Sequence, residues 1–543
     1  MKEEGQGTRW SVDSLVLREG GLFSYGWCAD PQAQIVKLDL LLEYASGDMD
    51  TVPTQYGVHR ADVSTTFPRL SSACGYFVHT ALARRETVQR VWLSVCRADG
   101  SCQMLSCPVP EQAAPDQANG GVLTVVPWRV WRQDGLRALQ MLRQGDWRRF
   151  WPYAKARYAS LRARAGNDAT LRRAFSQLRA GATLIVDHSL GGGANHFSAG
   201  LVQETNHRGC DVVVWRFIPY LLRHEISIHR GAFEPVRKLY LTWQAWELLL
   251  ASGKISEVLF NNCVGYSRQE QVPAMLAAFR QTGGARLRVY LHDFHMACPS
   301  HFLLNDEGNF CGMPDISQCR KCLPRLDDGL AALFLARDID LWRQRWGEML
   351  KIADELVYFS KSSRDLLTRA YPSLRDGQWV FQPHQITPVS GRFSYPRDEP
   401  GLRVAVVGHI ARHKGSVRVL GLAREAQRQR VALQVVVIGT LDTTDDALPL
   451  LQTGTYQHDS LCRLLSEHRI HMALMPSICP ETFSYVTHEL MQLGVPLICF
   501  KLGAQADAVS GYERGRVVAM AGAQELLAQM QEFKVELDAR HLG

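Results

Sequence analysis

Two glutamates eight positions apart, Glu481 and Glu489, frame the stretch whose residue types most readily suggest chemistry, ProGluThrPheSerTyrValThrHisGluLeu at 480–490. The apolar run before it, IHMALMPSICP (470–480), reads as a short buried strand closing in a Pro-bounded loop. LMQLGVPLICF (490–500) reads as a helix end, a stop at Gly494 and another buried strand. This pattern places Glu481 at a strand-to-helix junction and Glu489 two turns along the helix, the carboxylates roughly 12 Å apart along its axis. That is too far for a paired acid/base dyad and suits gripping two parts of one elongated ligand. The helix N-terminus, with N–H groups at Thr482 and Phe483, would take an anion or a polarised hydroxyl between them. A nucleotide sugar has all three parts: a sugar, a diphosphate and a ribose. A bare pair at this spacing also fits an amphipathic helix with two solvated carboxylates; the flanking strand and the GlyValPro turn weigh against that.

Three other clusters could do chemistry. Gly191–Gly193 follow the strand ATLIVDHS (182–189) and precede an apolar helix, so Gly192 and Gly193 sit where backbone can approach a ligand closely. His188 ends that strand. His292 ends the strand ARLRVYLHD (285–293), at the carboxyl edge where open α/β sheets bind ligands, with Asp293 beside it to orient the imidazole. Cys298-x12-Cys311-x7-Cys319-x2-Cys322 gathers four thiols in a compact, Gly- and Pro-bearing loop, the ligand set of a structural zinc site. An all-thiolate site leaves no open coordination position and so no catalytic role; buried unliganded cysteines, a redox disulfide or an iron–sulfur site are the alternatives.

PSICPETFSYVTHELMQLGVPLI (476–498) resembles the donor-site signature of retaining GT-B glycosyltransferases of glycosyltransferase family 4, and the resemblance covers roughly residues 181–530. By that resemblance Glu481 contacts the transferred sugar and Glu489 holds the ribose hydroxyls. VVGHIARHKGS (406–416) is similar to the family's Val-Gly-Arg-…-Lys-Gly segment: Lys414 matches the lysine on the donor diphosphate, His409 stands where the arginine is usual, and Arg412 would supply the missing charge. The family's matching glycine loop lies at an interdomain cleft near diphosphate and acceptor, and a His often stands near the transferred sugar at the place of His292. The resemblance implies attack from the face the nucleotide leaves, with the donor phosphate helping to take the acceptor proton and no divalent metal at the diphosphate. The nearest relatives it suggests are bacterial GT-B proteins of polysaccharide assembly with a similar His-Asp-…-Cys-Pro-…-Cys stretch.

The elements that must position these residues fall into four expected segments. Residues 1–115 alternate apolar and polar residues between turns and read as a β-sandwich, similar to β-rich modules on some bacterial polysaccharide glycosyltransferases. Residues 116–180 include thirteen Lys/Arg, three Asp and four Trp over 128–180, a basic helical linker suited either to an anionic membrane surface or to packing on the next domain. No recognised nucleic-acid motif accompanies the charge. Residues 181–395 and 396–543 alternate strands and helices. The expected class is α/β, GT-B, two Rossmann-like domains facing a cleft behind an all-β sandwich.

Composition agrees with a globular protein: 46% hydrophobic, 21% charged, net charge +7. No apolar run reaches ~18 residues, and the polar start MKEEGQGTRW shows no secretory signal. Fourteen cysteines scattered through strand-like segments fit a reducing cytoplasm better than a disulfide framework. The combined expectation is a cytoplasmic enzyme, peripheral at the inner membrane face, moving a sugar from a nucleotide-sugar donor to a lipid-linked or polysaccharide acceptor. A non-catalytic binding subunit of an assembly and a nucleotide-sugar epimerase are the rivals.

Overall fold

The computed structural model describes residues 7–107 apart from 19, 59, 68–69 and 85, and residues 168–542 apart from 232–234, 327–328 and 443–446. The basic Trp segment lies outside the described residues up to 167; its end forms the helix Asp168–Ser176. The chain divides into two compact units, Met1–Leu287 with Asp327–Arg337, and Arg288–Leu326 with Asp338–Gly543.

The first unit opens with eight strands, β1 (Arg9–Arg18), β2 (Gly21–Ala29), β3 (Ile35–Tyr44), β4 (Met49–Pro53), β5 (Gln55–Val58), β6 (Gly75–Ala81), β7 (Val88–Arg97) and β8 (Cys102–Cys107). They form two four-stranded antiparallel sheets, β1-β2-β6-β5 and β4-β3-β7-β8. Alternation sets which face is covered: Leu38, Leu40 and Leu42 of β3 oppose Val95, Leu93 and Val91 of β7, and all six are buried in one core. Opposite residues Cys96 and Cys102 on β7 and β8 form a disulfide, the other twelve cysteines being free. One bridge therefore exists where the scattered spacing suggested none, because hairpin register places these two face to face.

The same unit continues into β9 (Ala182–Asp187), β10 (Val212–Ile218), β11 (Arg223–His229), β12 (Arg237–Leu241) and β13 (Ile255–Phe260), in the order β12-β11-β10-β9-β13. β9 pairs in parallel with both β10 and β13, and β11 and β12 add an antiparallel edge. The strand module packs against this sheet, the His79 ring stacking at 6.0 Å on Phe217.

The second unit holds the parallel run of β14 (Arg286–Tyr290), β15 (Glu355–Tyr358) and β16 (Trp379–Phe381). Its main sheet comprises β17 (Leu402–Ile410), β18 (Leu433–Leu441), β19 (Leu450–Gln452), β20 (Met472–Met475), β21 (Leu497–Phe500) and β22 (Gly515–Val518). Every pair is parallel, in the order β19-β18-β17-β20-β21-β22, the doubly wound arrangement. The near-continuous apolar reading of β17 follows from helices on both faces. Val404 and Val406 join the core with the helices Ser416–Gln429 and Ala523–Leu542, whereas Ala405 and Val407 join the core with Tyr485–Leu493. Parallel Rossmann-like sheets behind an all-β module give the expected α/β, GT-B class. Among the described residues no helix is long and apolar enough to cross a membrane.

Candidate active site

A doubly wound sheet leaves a crevice beyond its strand ends where consecutive connections leave in opposite directions. In the six-stranded sheet that point lies between β17 and β20, and the loops after these strands carry Arg412–Lys414 and Glu481.

After β17 the chain makes a short 3-10 turn, Arg412–Lys414, and enters the helix Ser416–Gln429 through Gly415. Gly415 has φ +91°, and a Cβ there would lie 2.0 Å from the carbonyl oxygen of Pro476. Only glycine lets the cation loop and the glutamate loop touch at this point. The contact is tied by Ile478 N–H donating to His413 O at 3.1 Å, and Arg412 N–H donates to Asp442 Oδ2 at 2.7 Å. Arg412 and Lys414 are exposed, so their charged ends reach solvent beside the crevice. His409 is exposed too, its Nδ1 2.8 Å from Thr440 Oγ1.

After β20, the loop 476–484 is held in place at Glu481. Gly503, at φ +63°, would put a Cβ 2.6 Å from Glu481 N, and Ala504 N–H donates to Glu481 O at 2.8 Å. Thr482 Oγ1 donates to His292 O at 2.8 Å, which brings the end of the β14 segment against the glutamate loop. The His292 ring lies 4.8 Å from Phe359 and 5.5 Å from His384. Asp293 Oδ1 accepts from the backbone N–H of His295. Burial and then the Glu481 charge push the Cys479 thiol up to about 12 while the Lys414 charge opposes, so both groups act on one buried sulfur.

The helix that follows starts later than the sequence suggested. It spans Tyr485–Leu493 with Ser484 as N-cap, so Thr482 and Phe483 lie in the loop and not in the first turn. The reason is local: the Thr482 side chain is committed to His292 O, and Phe483 stacks on His488 at 4.5 Å. Glu489 is the fifth helical residue, about 6 Å along the axis from the helix start. Its side chain is 13% exposed, with His458 Nδ1 3.7 Å from Oε1. Burial holds the Glu489 carboxyl above the usual range while His458 opposes, and Tyr456, pushed up to about 12 by burial, also feels its charge. Tyr456 and His458 escaped the sequence reading because TYQHD (455–459) looks like any polar connection.

The four cysteines lie in one neighbourhood. Burial pushes the Cys298 thiol up to about 12, with Cys311 and Cys319 adding to it, and Cys311 does the same to Cys322. Arg343 Nη2 donates to Cys319 Sγ at 3.5 Å. Cys319 and Cys322 belong to the short helix Ile316–Cys322, in a stretch expected to be a compact loop. Among the described residues, no three or more His, Cys, Asp or Glu converge closely enough to hold a metal ion.

The first unit has its own constellation at the end of β9. The fully buried Asp187 accepts from Asn261 Nδ2 (2.8 Å), His188 N (2.9 Å), Asn195 Nδ2 (2.8 Å) and Arg216 Nη2 (3.2 Å). Asn195 Oδ1 accepts from Gly191 N–H at 2.6 Å, shaping the loop whose exposed Gly192 and Gly193 begin the helix Gly193–His207. His188 is buried, its Nδ1 accepting from Leu190 N–H. Asn195 and Asn261 were missed: an Asn after a glycine loop, or an Asn pair after a strand, carries no spacing signal.

Residues 391–540, which contain β17 through β22, match the family described as "Glycosyl transferases group 1". No curated protein matches the chain. Among solved structures, HepE from Anabaena in complex with UDP-glucose aligns at 14% identity over 66% of this chain and 92% of that one, with a TM-score of 0.41. Sucrose-phosphate synthase from Thermosynechococcus elongatus aligns at 16% identity over 66% and 90%, TM-score 0.41. WaaG, a glycosyltransferase involved in lipopolysaccharide biosynthesis, aligns at 13% over 66% and 94%, TM-score 0.41.

Proposed function

We propose that the chain is a glycosyltransferase that moves a sugar, with retention of configuration, from a nucleotide-sugar donor to a polysaccharide or lipid-linked acceptor. One observation carries this reading: at the switch point of the parallel sheet, the loop of Arg412–Lys414 and the loop of Glu481 are in backbone contact through Gly415 and Pro476. Glu489 follows on the next helix, beside His458 and near enough to Tyr456 to act on it. Cations for a diphosphate, a carboxylate for the sugar and a second for the ribose are the three grips a nucleotide sugar asks for. Thr482, bonded to His292 O, ties down the loop that carries the first carboxylate, and His292 is the proposed neighbour of the sugar. Within the other unit, the loop of Gly192 and Gly193 is by itself a place where backbone N–H groups can meet a ligand. Stabilisation of the departing diphosphate by Lys414 and Arg412 supplies much of the rate, and no carboxylate nucleophile is required.

The four thiols are the proposed ligands of one structural zinc; as they stand they do not converge to metal-binding distance, so the ion would have to draw them together on binding. Such a metal would act through folding and not in transfer. A second reading, a sugar- or nucleotide-binding subunit without turnover, rests on His409, whose Nδ1 pairs with Thr440 where a fixed arginine would otherwise serve the phosphate. Incubating the full chain with a panel of nucleotide sugars, without acceptor, separates the two. Slow release of free sugar from one donor supports the enzyme, and binding without release supports the subunit.

A further inference from the structure

The four-cysteine segment does more than sit near the donor loops: its hairpin lies against the cation turn. Leu304 and Phe310 bridge to form a short hairpin, closed by Asn305 N–H donating to Asn309 O at 2.8 Å. Its base is anchored, with Tyr371 donating to Met296 O at 2.6 Å and Trp342 Nε1 donating to His295 O at 2.9 Å. From this base Phe302 stacks on His413, ring centroids 3.9 Å apart and planes 14° from parallel. At the tip, a Cβ on Gly308 would lie 3.6 Å from Arg412 Nη2, and Phe310 packs against the core under β17. His413 is the middle residue of the 3-10 turn, where successive side chains point about 120° apart. Clamping His413 on one side therefore sets where Arg412 and Lys414 point on the other two. Burial and the Lys414 charge lower the His413 pKa to about 4, so the ring is a neutral platform near pH 7 and not a third cation.

We propose that Phe302 is a positioning residue for the donor diphosphate: by stacking on His413 it holds the Arg412–Lys414 turn in the orientation that receives phosphate. The inference rests on the phosphate role given to Lys414. The test is calorimetry on the full chain with UDP, GDP, ADP and dTDP, and with the nucleoside matching the tightest of them. Phe302→Ala should weaken the diphosphate about three- to tenfold, the scale of one aromatic pair, and leave the nucleoside unchanged. Phe302→Tyr, which keeps a flat face, should restore the affinity. Phe302→Leu keeps apolar bulk without the stack and should show the same loss, so the proposal stays open to refutation where Ala unfolds the hairpin. Combined with Lys414→Ala, Phe302→Ala should add little, since both act on one contact. A Lys414→Ala chain that binds diphosphate like wild type overturns the phosphate reading itself. Loss on Lys414→Ala with none on Phe302→Ala or Phe302→Leu overturns the Phe302 proposal alone, as does an equal loss of nucleoside and diphosphate.

Discussion

Glu489 carries its charge in a half-buried place, and that has a consequence for pH. Burial raises its pKa above 4.5, so on acidification it takes up a proton sooner than a solvated glutamate. In the proposed ribose role only the ionised form would accept from both hydroxyls, so nucleotide affinity should fall with a midpoint above 4.5, and Glu489→Gln should flatten that profile. For folding the sign is reversed: a raised native pKa stabilises at low pH, and that contribution is lost as pH rises through the native value. Glu489→Ala should cost nucleotide binding about 1.5–3 kcal/mol, the worth of a charged hydrogen bond. Glu481→Ala should instead remove transfer while nucleotide affinity stays, because the sugar is present only in the intact donor. Equal nucleotide affinity in wild type and Glu489→Ala would withdraw the ribose assignment. Gly503 is the residue whose role is least visible in composition. Gly503→Ala forces a left-handed φ and a Cβ onto Glu481 N, and should destabilise the chain by about 1–3 kcal/mol while lowering transfer, read by thermal melting alongside donor turnover.

At the scale of elements, the four-cysteine segment gives the clearest test. The purified chain should carry about one zinc, and single Cys→Ser changes at 298, 311, 319 or 322 should lower stability more than donor affinity. Protein prepared without chelator and free of zinc, iron and cobalt would end the metal proposal. Much of the main sheet was legible in the sequence: β17, β18, β20 and β21 are apolar runs bounded by turn residues, and buried parallel strands must read that way. β11 was not legible, because its buried face holds polar residues such as His224, whose Nδ1 accepts from Trp215 Nε1 inside the core. Sequence alternation cannot distinguish such a satisfied histidine from an exposed one. The helix start near Glu481 was misplaced for a similar reason. Pro480 and Glu481 suggested a first turn, but the hydrogen bond from Thr482 to His292 O and the approach of Gly503 keep the chain out of the helix as far as Ser484. The residues of the proposed donor grip stand out by type; the groups that hold their loops, Gly503 and Phe302, depend on chain segments far away in sequence.

At the scale of the whole molecule, the basic Trp segment 128–167 lies outside the described residues, and its proposed role is to dock the protein on an anionic membrane surface. If so, the protein should sediment with acidic liposomes at low salt and release as salt rises, each exposed Lys or Arg contributing about 1 kcal/mol. Trp147→Ala with Trp151→Ala should reduce the salt-resistant fraction. Folded protein that ignores acidic liposomes at low salt would favour an internal packing role for the segment. The claim on which everything else depends is that the chain breaks the bond between sugar and diphosphate. It is tested most directly by following a panel of nucleotide sugars by NMR with the full-length chain and with Glu481→Gln. One donor should be consumed, its sugar first appearing in the donor's own anomeric configuration, and Glu481→Gln should slow this by about 10²–10³. A chain that binds a nucleotide sugar yet leaves every donor intact, with or without polysaccharide and glycolipid acceptors, would show that it is not a glycosyltransferase.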